Sequence, residues 1–83
     1  MMNEIKITVL YFASLAQKAK IDEEIITVQT TDLSTLYQLL SDKYQFELTQ
    51  DKLSVAVNHE FSDWNQKIAT GDVVAFIPPV AGG

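Results

Sequence analysis

The chain ends in two glycines, Gly82 and Gly83, and the terminal carboxyl group is its best candidate for chemistry. Glycine has no Cβ, so another protein can close around this backbone and reach the carboxylate of Gly83. A carboxylate is a poor electrophile and must be activated before it reacts. An ATP-using partner could form an acyl-adenylate there, and a sulfur donor could then convert it into a thiocarboxylate.

A short proline stem precedes the glycine pair. Pro78 and Pro79 fix their own φ angles and bias the residues before them to extended conformations. Val80 and Ala81 follow and are small. Residues 78–83 are therefore expected to form a flexible tail that projects roughly 15–20 Å from the domain. Terminal glycines usually indicate a frayed chain end without a function. Here the glycine pair follows a predicted strand and a proline stem, and this position favours a functional tail.

No other part of the sequence carries a recognisable catalytic arrangement. The absence of cysteine excludes disulfides, thiolate metal sites and a thiol nucleophile. The single histidine, His59, falls in a predicted turn, and the acidic residues are dispersed without metal-like spacing. There is no catalytic triad, P-loop or dinucleotide motif. We therefore expect a chain that is not catalytic alone and that binds neither a cofactor nor a metal.

Length and charge narrow the class of protein and of partner. A chain of 83 residues that is 47% hydrophobic is expected to form one domain, with a core that is stable without disulfide bonds or a metal site. The net charge of -5 disfavours nucleic acid and favours a partner with a basic docking face. The N-terminus lacks a secretory pattern, and the apolar run at 73–80 is too short to span a bilayer. We expect a soluble, cytoplasmic protein.

Hydrophobic periodicity predicts an alternation of strands and helices. The strongest helix begins after the N-cap candidate Asp32, because apolar residues then recur at helical spacing up to Tyr44. A shorter helix is predicted over 14–20, and Asn58-His59 and Thr70-Gly71 are turn candidates. The predicted strands cover residues 5–12, 24–29, 53–57 and 73–77, with a short edge strand or turn within 61–68.

These elements predict an α+β fold in which one main helix covers one face of a mixed sheet of four to five strands. The first and last strands are the most apolar, so we place them side by side and parallel at the sheet centre. This arrangement is the ubiquitin-like β-grasp architecture. The predicted domain covers residues 1–77, and the tail covers 78–83.

The strand pattern also predicts a second apolar face. Alternation assigns Leu10, Phe12, Ala75 and Ile77 to the side opposite the helix, and Phe61 has no evident place in the core. An exposed apolar patch of this kind marks an interface. Phe12, Phe61 and Ile77 are therefore candidate partner-binding residues, together with the stem residues Pro78, Pro79, Val80 and Ala81. The alternative is that loops, such as residues 14–20, cover this face.

The ending 71–83 resembles the "GDEVAFFPPVxGG" ending of molybdopterin synthase small subunits. The stretch from Ile7 to Ala13 is similar to that family's opening strand, and residues 55–58 are similar to its "A-A-V-N" strand end. The resemblance implies that a ubiquitin-activating-type adenylyltransferase uses ATP to adenylate Gly83, which then becomes a thiocarboxylate. Gly82 would lie next to Gly83 in the channel of the large synthase subunit, where it too has no side chain to obstruct entry.

The resemblance also implies the purpose of the sulfur. It would pass to cyclic pyranopterin monophosphate during molybdenum cofactor biosynthesis, in a heterotetramer of two small and two large subunits. Three alternatives stay open at this point. They are a sulfur carrier for thiamine synthesis or transfer-RNA thiolation, a ubiquitin-like modifier joined to lysines, and a β-grasp interaction module with an inert tail.

Overall fold

The computed structural model describes residues 4–79 as one α+β unit. Each predicted strand and helix is present. The ends differ from the sequence pattern by one residue at most, except that the short edge strand lies at Glu60–Ser62 rather than within 61–68. A short 3-10 turn at Gln50–Lys52 was not predicted. In chain order, the elements are β1 (Ile5–Tyr11), α1 (Ala13–Ala19), β2 (Glu23–Val28), α2 (Leu33–Tyr44), β3 (Ser54–Val57), β4 (Glu60–Ser62) and β5 (Val73–Ile77).

The five strands form one mixed sheet in the order β2-β1-β5-β3-β4. β1 and β5 are parallel neighbours in the middle, with Val9 opposite Val74 and Tyr11 opposite Phe76. The other pairs are antiparallel. The prediction of a central parallel pair is confirmed, and the fold is the ubiquitin-like β-grasp.

The core lies between the sheet and α2. The inward residues of β1, β3 and β5 pack against the apolar face of the helix, and this core includes Ile7, Val9, Tyr11, Val55, Val74, Phe76, Leu33, Leu36, Tyr37 and Leu40. Asp32 caps α2, since its carboxylate accepts a hydrogen bond of 2.9 Å from the backbone N–H of Thr35. The helix ends at Tyr44, and the C-cap residue Gln45 has a left-handed φ of +61°.

Helix α1 contributes to the same core. Its residues Leu15 and Ala19 are buried in the cluster that α2 covers. Residues 14–20 therefore do not cover the second apolar face as a whole, since Phe12 and Phe61 stay exposed. Phe12, predicted as the last strand residue, is instead the extended residue that precedes α1.

Two tight turns fix the end of the sheet opposite the tail. Asn58 and His59 both have positive φ, +54° and +72°, as a type I′ hairpin between β3 and β4 requires. The Asn58 side chain accepts a hydrogen bond from the backbone N–H of Val73 and donates one to Asp72. Gly71, at a φ of +93°, donates its N–H to the carbonyl of Lys6. Both predicted turns are confirmed.

Candidate functional site

The tail begins where the central strand β5 ends. β5 lies between β1 and β3, so its direction is set by neighbours on both sides. Pro78 is buried, and Pro79 is the first exposed residue of the stem. Val80, Ala81, Gly82 and Gly83 lie outside the described residues, so their predicted roles stay predictions.

Aromatic packing holds the base of this stem. Phe76 is fully buried, with its ring centroid 5.2 Å from that of Tyr37. Trp64 stacks on Phe76 with a ring-centroid distance of 5.9 Å and is half-buried. The Tyr37 hydroxyl donates to the carbonyl of Leu48 at 2.6 Å. A stem that starts from this cluster cannot swing freely at its root, because Phe76 and Pro78 on either side of Ile77 are buried.

The face of the sheet away from α2, which we call the open face, carries a row of apolar side chains. Register places Leu10 beside Ala75, Ala75 beside Ala56, and Ala56 beside Phe61. Phe12 and Ile77 continue the alternation at the end where the tail leaves. We call these side chains the open-face patch: Leu10, Phe12, Ala56, Phe61, Ala75 and Ile77.

Exposure within the open-face patch is uneven. Phe61 is 77% exposed and Phe12 is 44% exposed, while Leu10 and Ile77 are half-buried. Ala75 lies on the predicted face but is buried, because its small side chain sits between two neighbouring strands. The two phenylalanines are thus the side chains most available to a partner.

Sequence reasoning missed two residues of the open face. Ala56 is part of the row described above, and Ile25 on β2 is 64% exposed. Ile25 lies opposite Thr8 and so shares its face. Alternation could have identified Ile25, since Ile26 and Val28 lie in the opposite phase of that strand and are half-buried. The open face therefore extends to the β2 edge of the sheet.

An open groove of about 430 Å³ adjoins the patch near the tail. Its apolar wall includes Leu10, Phe12 and Ala16, and its acidic wall is formed by Asp22 and Glu23. An apolar surface bordered by carboxylates is complementary to a partner that presents apolar and basic side chains.

A polar cluster of three side chains lies on the core side, near the start of β2. Tyr11 and Tyr44 donate their hydroxyls to one oxygen of Glu24, at 2.6 and 2.8 Å. Burial raises the pKa of Tyr11, and the hydrogen bond to Glu24 adds to this effect. Both hydroxyls therefore stay protonated and act as donors, which ties β2 to α2. The cluster is structural and faces away from the open-face patch.

The remaining titratable groups form no reactive centre among residues 4–79. His59 is exposed in its hairpin turn. No three histidine or acidic side chains there converge as a metal ion would require. The helices of this same part of the chain include none that is long and apolar enough to cross a membrane.

Comparison with known proteins decides the family. The ThiS family model matches residues 9–83, from the first strand through the terminal glycine pair. The chain belongs to the ThiS family. It is 32% identical over 80 residues to the molybdopterin synthase sulfur carrier subunit of Escherichia coli (strain K12), covering 93% of this chain and 99% of that protein.

Further similarities within the ThiS family agree in length and fold. The protein of the same name from Mycobacterium tuberculosis (strain ATCC 25618 / H37Rv) is 35% identical over 82 residues, covering 95% of this chain and 99% of that protein. Among solved structures, the complex of subunits 1 and 2 of molybdopterin-converting factor from Helicobacter pylori 26695 contains a chain that matches with a TM-score of 0.63 and 28% identity. That match covers 95% of this chain and all of the other.

Proposed function

We propose that this chain is the sulfur-carrier small subunit of molybdopterin synthase. The observation that carries the proposal is the near-full-length similarity to two subunits of that name, within a family match that runs through Gly83. The fold is consistent with it, because the central strand β5 leads directly into the proline stem.

The proposed chemistry takes place on the terminal carboxyl group in two steps. A carboxylate oxygen of Gly83 attacks the α-phosphorus of ATP in an activating adenylyltransferase and expels pyrophosphate. Hydrosulfide from the sulfur donor then attacks the carbonyl carbon and expels AMP, and loss of its proton leaves a thiocarboxylate. The sulfur passes to cyclic pyranopterin monophosphate in the large-subunit active site, and the carboxylate is regenerated with an oxygen from water. The product of this reaction contains a dithiolene group, which holds two sulfur atoms. Two loaded carriers are therefore consumed for each product molecule.

The open-face patch is the proposed docking surface for the large subunit. Phe12 and Ile77 lie at the end of the sheet where the stem leaves, so a partner on this face can also enclose the tail. Phe61 extends the surface towards the far edge, and Asp22 and Glu23 border it with negative charge. In this proposal, the aromatic side chains supply most of the affinity and the carboxylates orient a basic partner.

Intact-mass measurement tests the proposal. The chain is incubated with the activating enzyme, ATP and a sulfur donor, and a gain of about 16 Da is expected when sulfur replaces one oxygen. Loaded chain and purified large subunit should then convert cyclic pyranopterin monophosphate into the dithiolene product. A loaded chain that supports thiazole synthesis or transfer-RNA thiolation but not this conversion would assign it to another sulfur pathway.

The modifier alternative is tested in cells that produce the chain. A modifier would form conjugates with target proteins. The mass of each conjugate would equal the mass of the target plus the mass of this chain, less one water molecule. A chain of unmodified mass that forms no conjugates would contradict both the sulfur-carrier and the modifier functions. An interaction module with an inert tail would then be the remaining alternative.

A further inference from the structure

Strand β2 forms one edge of the sheet, and its outer side is unpaired among residues 4–79. The backbone N–H of Tyr11 donates to the carbonyl of Asp22 at 2.8 Å. This bond identifies Tyr11 and Asp22 as a hydrogen-bonded pair and so shows which residues of β2 bond to β1. Antiparallel ladders alternate between hydrogen-bonded and non-bonded pairs. Glu24, Ile26 and Val28 therefore bond to β1. The backbone groups of the alternate residues, Glu23, Ile25 and Thr27, point outward.

This edge carries only part of the usual protection against strand pairing. Natural edges are blunted by short length, proline, charged side chains or a bulge, and here the charges are Glu23 and Glu24 at one end of the strand. The opposite edge, β4, has only three residues. β2 has six, with the sequence EEIITV, and contains neither proline nor lysine. Ile25 at its centre is 64% exposed on the open face. A long edge with an exposed apolar centre is suited to accept another strand.

The outward set is symmetric about Ile25. If a second copy pairs antiparallel at this point, Ile25 meets Ile25, and Glu23 of each copy meets Thr27 of the other. All these side chains stay on the open face, and no like charges are opposed. Lys6 lies beside Thr27 within each copy. Glu23 of one copy is then two strand spacings, roughly 10 Å, from Lys6 of the other, within the combined reach of two long side chains.

We propose that the outer edge of β2 is a self-association surface, at which two copies of this chain pair antiparallel about Ile25 into one continuous sheet. A second copy of the chain is complementary to this edge in the antiparallel register, because the acidic end of each edge meets the lysine-bearing end of the other. The net charge of -5 on each copy opposes association, so the dimer is weak and forms at high protein concentration. Phe12 and Phe61 stay free in this arrangement.

Single cysteines test the register directly, because the native chain has none. In the proposed pair, the Cα atoms of residue 25 are about 5.5 Å apart, within disulfide range. Ile25→Cys should therefore cross-link under mild oxidation. Thr27→Cys is the control on the same strand and face, but its two copies would lie roughly 14 Å apart. We expect the residue-25 disulfide to form at least about tenfold faster. Equal rates would overturn the proposal.

A second measurement uses the native chain. At about 1 mM it should sediment partly as a dimer, and hydrogen exchange at the amides of Glu23, Ile25 and Thr27 should slow as concentration rises. Ile25→Asp should abolish both effects, because it opposes two carboxylates. Leu39→Asp, at a 49% exposed site on α2, should leave them intact. A native chain that stays monomeric with unchanged exchange contradicts the proposal, even if the edge accepts an unrelated peptide.

Discussion

At the residue scale, the two terminal glycines are the positions on which the proposed chemistry depends. Gly82→Val adds a branched side chain where, in the proposed mechanism, an activating enzyme closes around the backbone. We expect the yield of thiocarboxylate to fall at least about tenfold, measured by intact mass after incubation with activating enzyme, ATP and sulfur donor. Lys52→Val, exposed in the 3-10 turn, is the control and should load normally. Full loading of the Gly82 variant would show that no tight channel encloses the tail.

Asp32 gives a residue-scale prediction about pH. Hydrogen bonds from the backbone and hydroxyl of Thr35 hold the pKa of Asp32 below its ordinary value, and Lys67 adds a smaller effect. A depressed pKa in the folded state means that this contribution to stability is complete above the unfolded pKa. It is lost as the pH falls through the folded pKa. Asp32→Ala should therefore lower the melting temperature at pH 7, and the difference from the native chain should shrink below about pH 4.

Thermal unfolding followed by circular dichroism at pH 7 and pH 3 checks this prediction. A difference between the two proteins that is the same at both pH values would mean that the carboxylate charge of Asp32 does not contribute to capping.

At the element scale, the β3–β4 hairpin carries local strain. His59 occupies the left-handed region at a φ of +72°, which a residue with a Cβ adopts at a cost. His59→Gly should raise the free energy of unfolding by about 0.5–1 kcal/mol, since glycine relieves that cost at a turn position. Urea unfolding measures the change. Glu60→Gly, one residue later in the extended strand β4, is the matched control and should destabilise the domain.

A second element-scale prediction concerns the open face. Phe61→Lys replaces the most exposed aromatic side chain of the open-face patch and should weaken large-subunit binding at least about tenfold. Leu39→Lys changes an exposed apolar side chain on the opposite side of the domain and should leave affinity unchanged. Titration calorimetry compares the two variants. Equal affinities for the native chain and the Phe61 variant would remove this face from the proposed interface.

At the scale of the whole molecule, net charge governs encounter with partners. The chain carries 11 acidic and 6 basic residues, and acidic groups border the groove beside the tail. A partner with a basic face is drawn to such a surface, and salt screens the attraction. The association rate with the large subunit should fall about tenfold or more between 0.05 and 0.5 M salt, with a smaller change in the dissociation rate. Stopped-flow fluorescence of Trp64 follows both rates, and a salt-independent association rate contradicts the prediction.

Most of the fold was predictable because local patterns agree with the global arrangement. The helical spacing after Asp32, the alternation in β1 and β5, and the turn residues at 58–59 and 70–71 all indicate the elements that form. The 3-10 turn at Gln50–Lys52 was missed, since three residues carry too little periodicity to detect. The position of α1 was also unpredictable. Its apolar residues fit either face of the sheet, and only packing assigns Leu15 to the core.

The sequence by itself determined the two helices, the four longer strands, the two phases of each central strand and the glycine ending, because these depend on residue type and spacing along the chain. The tertiary structure decided which strands have a free edge, that Ile25 and Phe61 share the open face, and that Pro78 is buried while Pro79 is exposed. Those properties depend on register and on neighbours distant in sequence. A one-residue shift in pairing would reverse the faces without changing the composition of any strand.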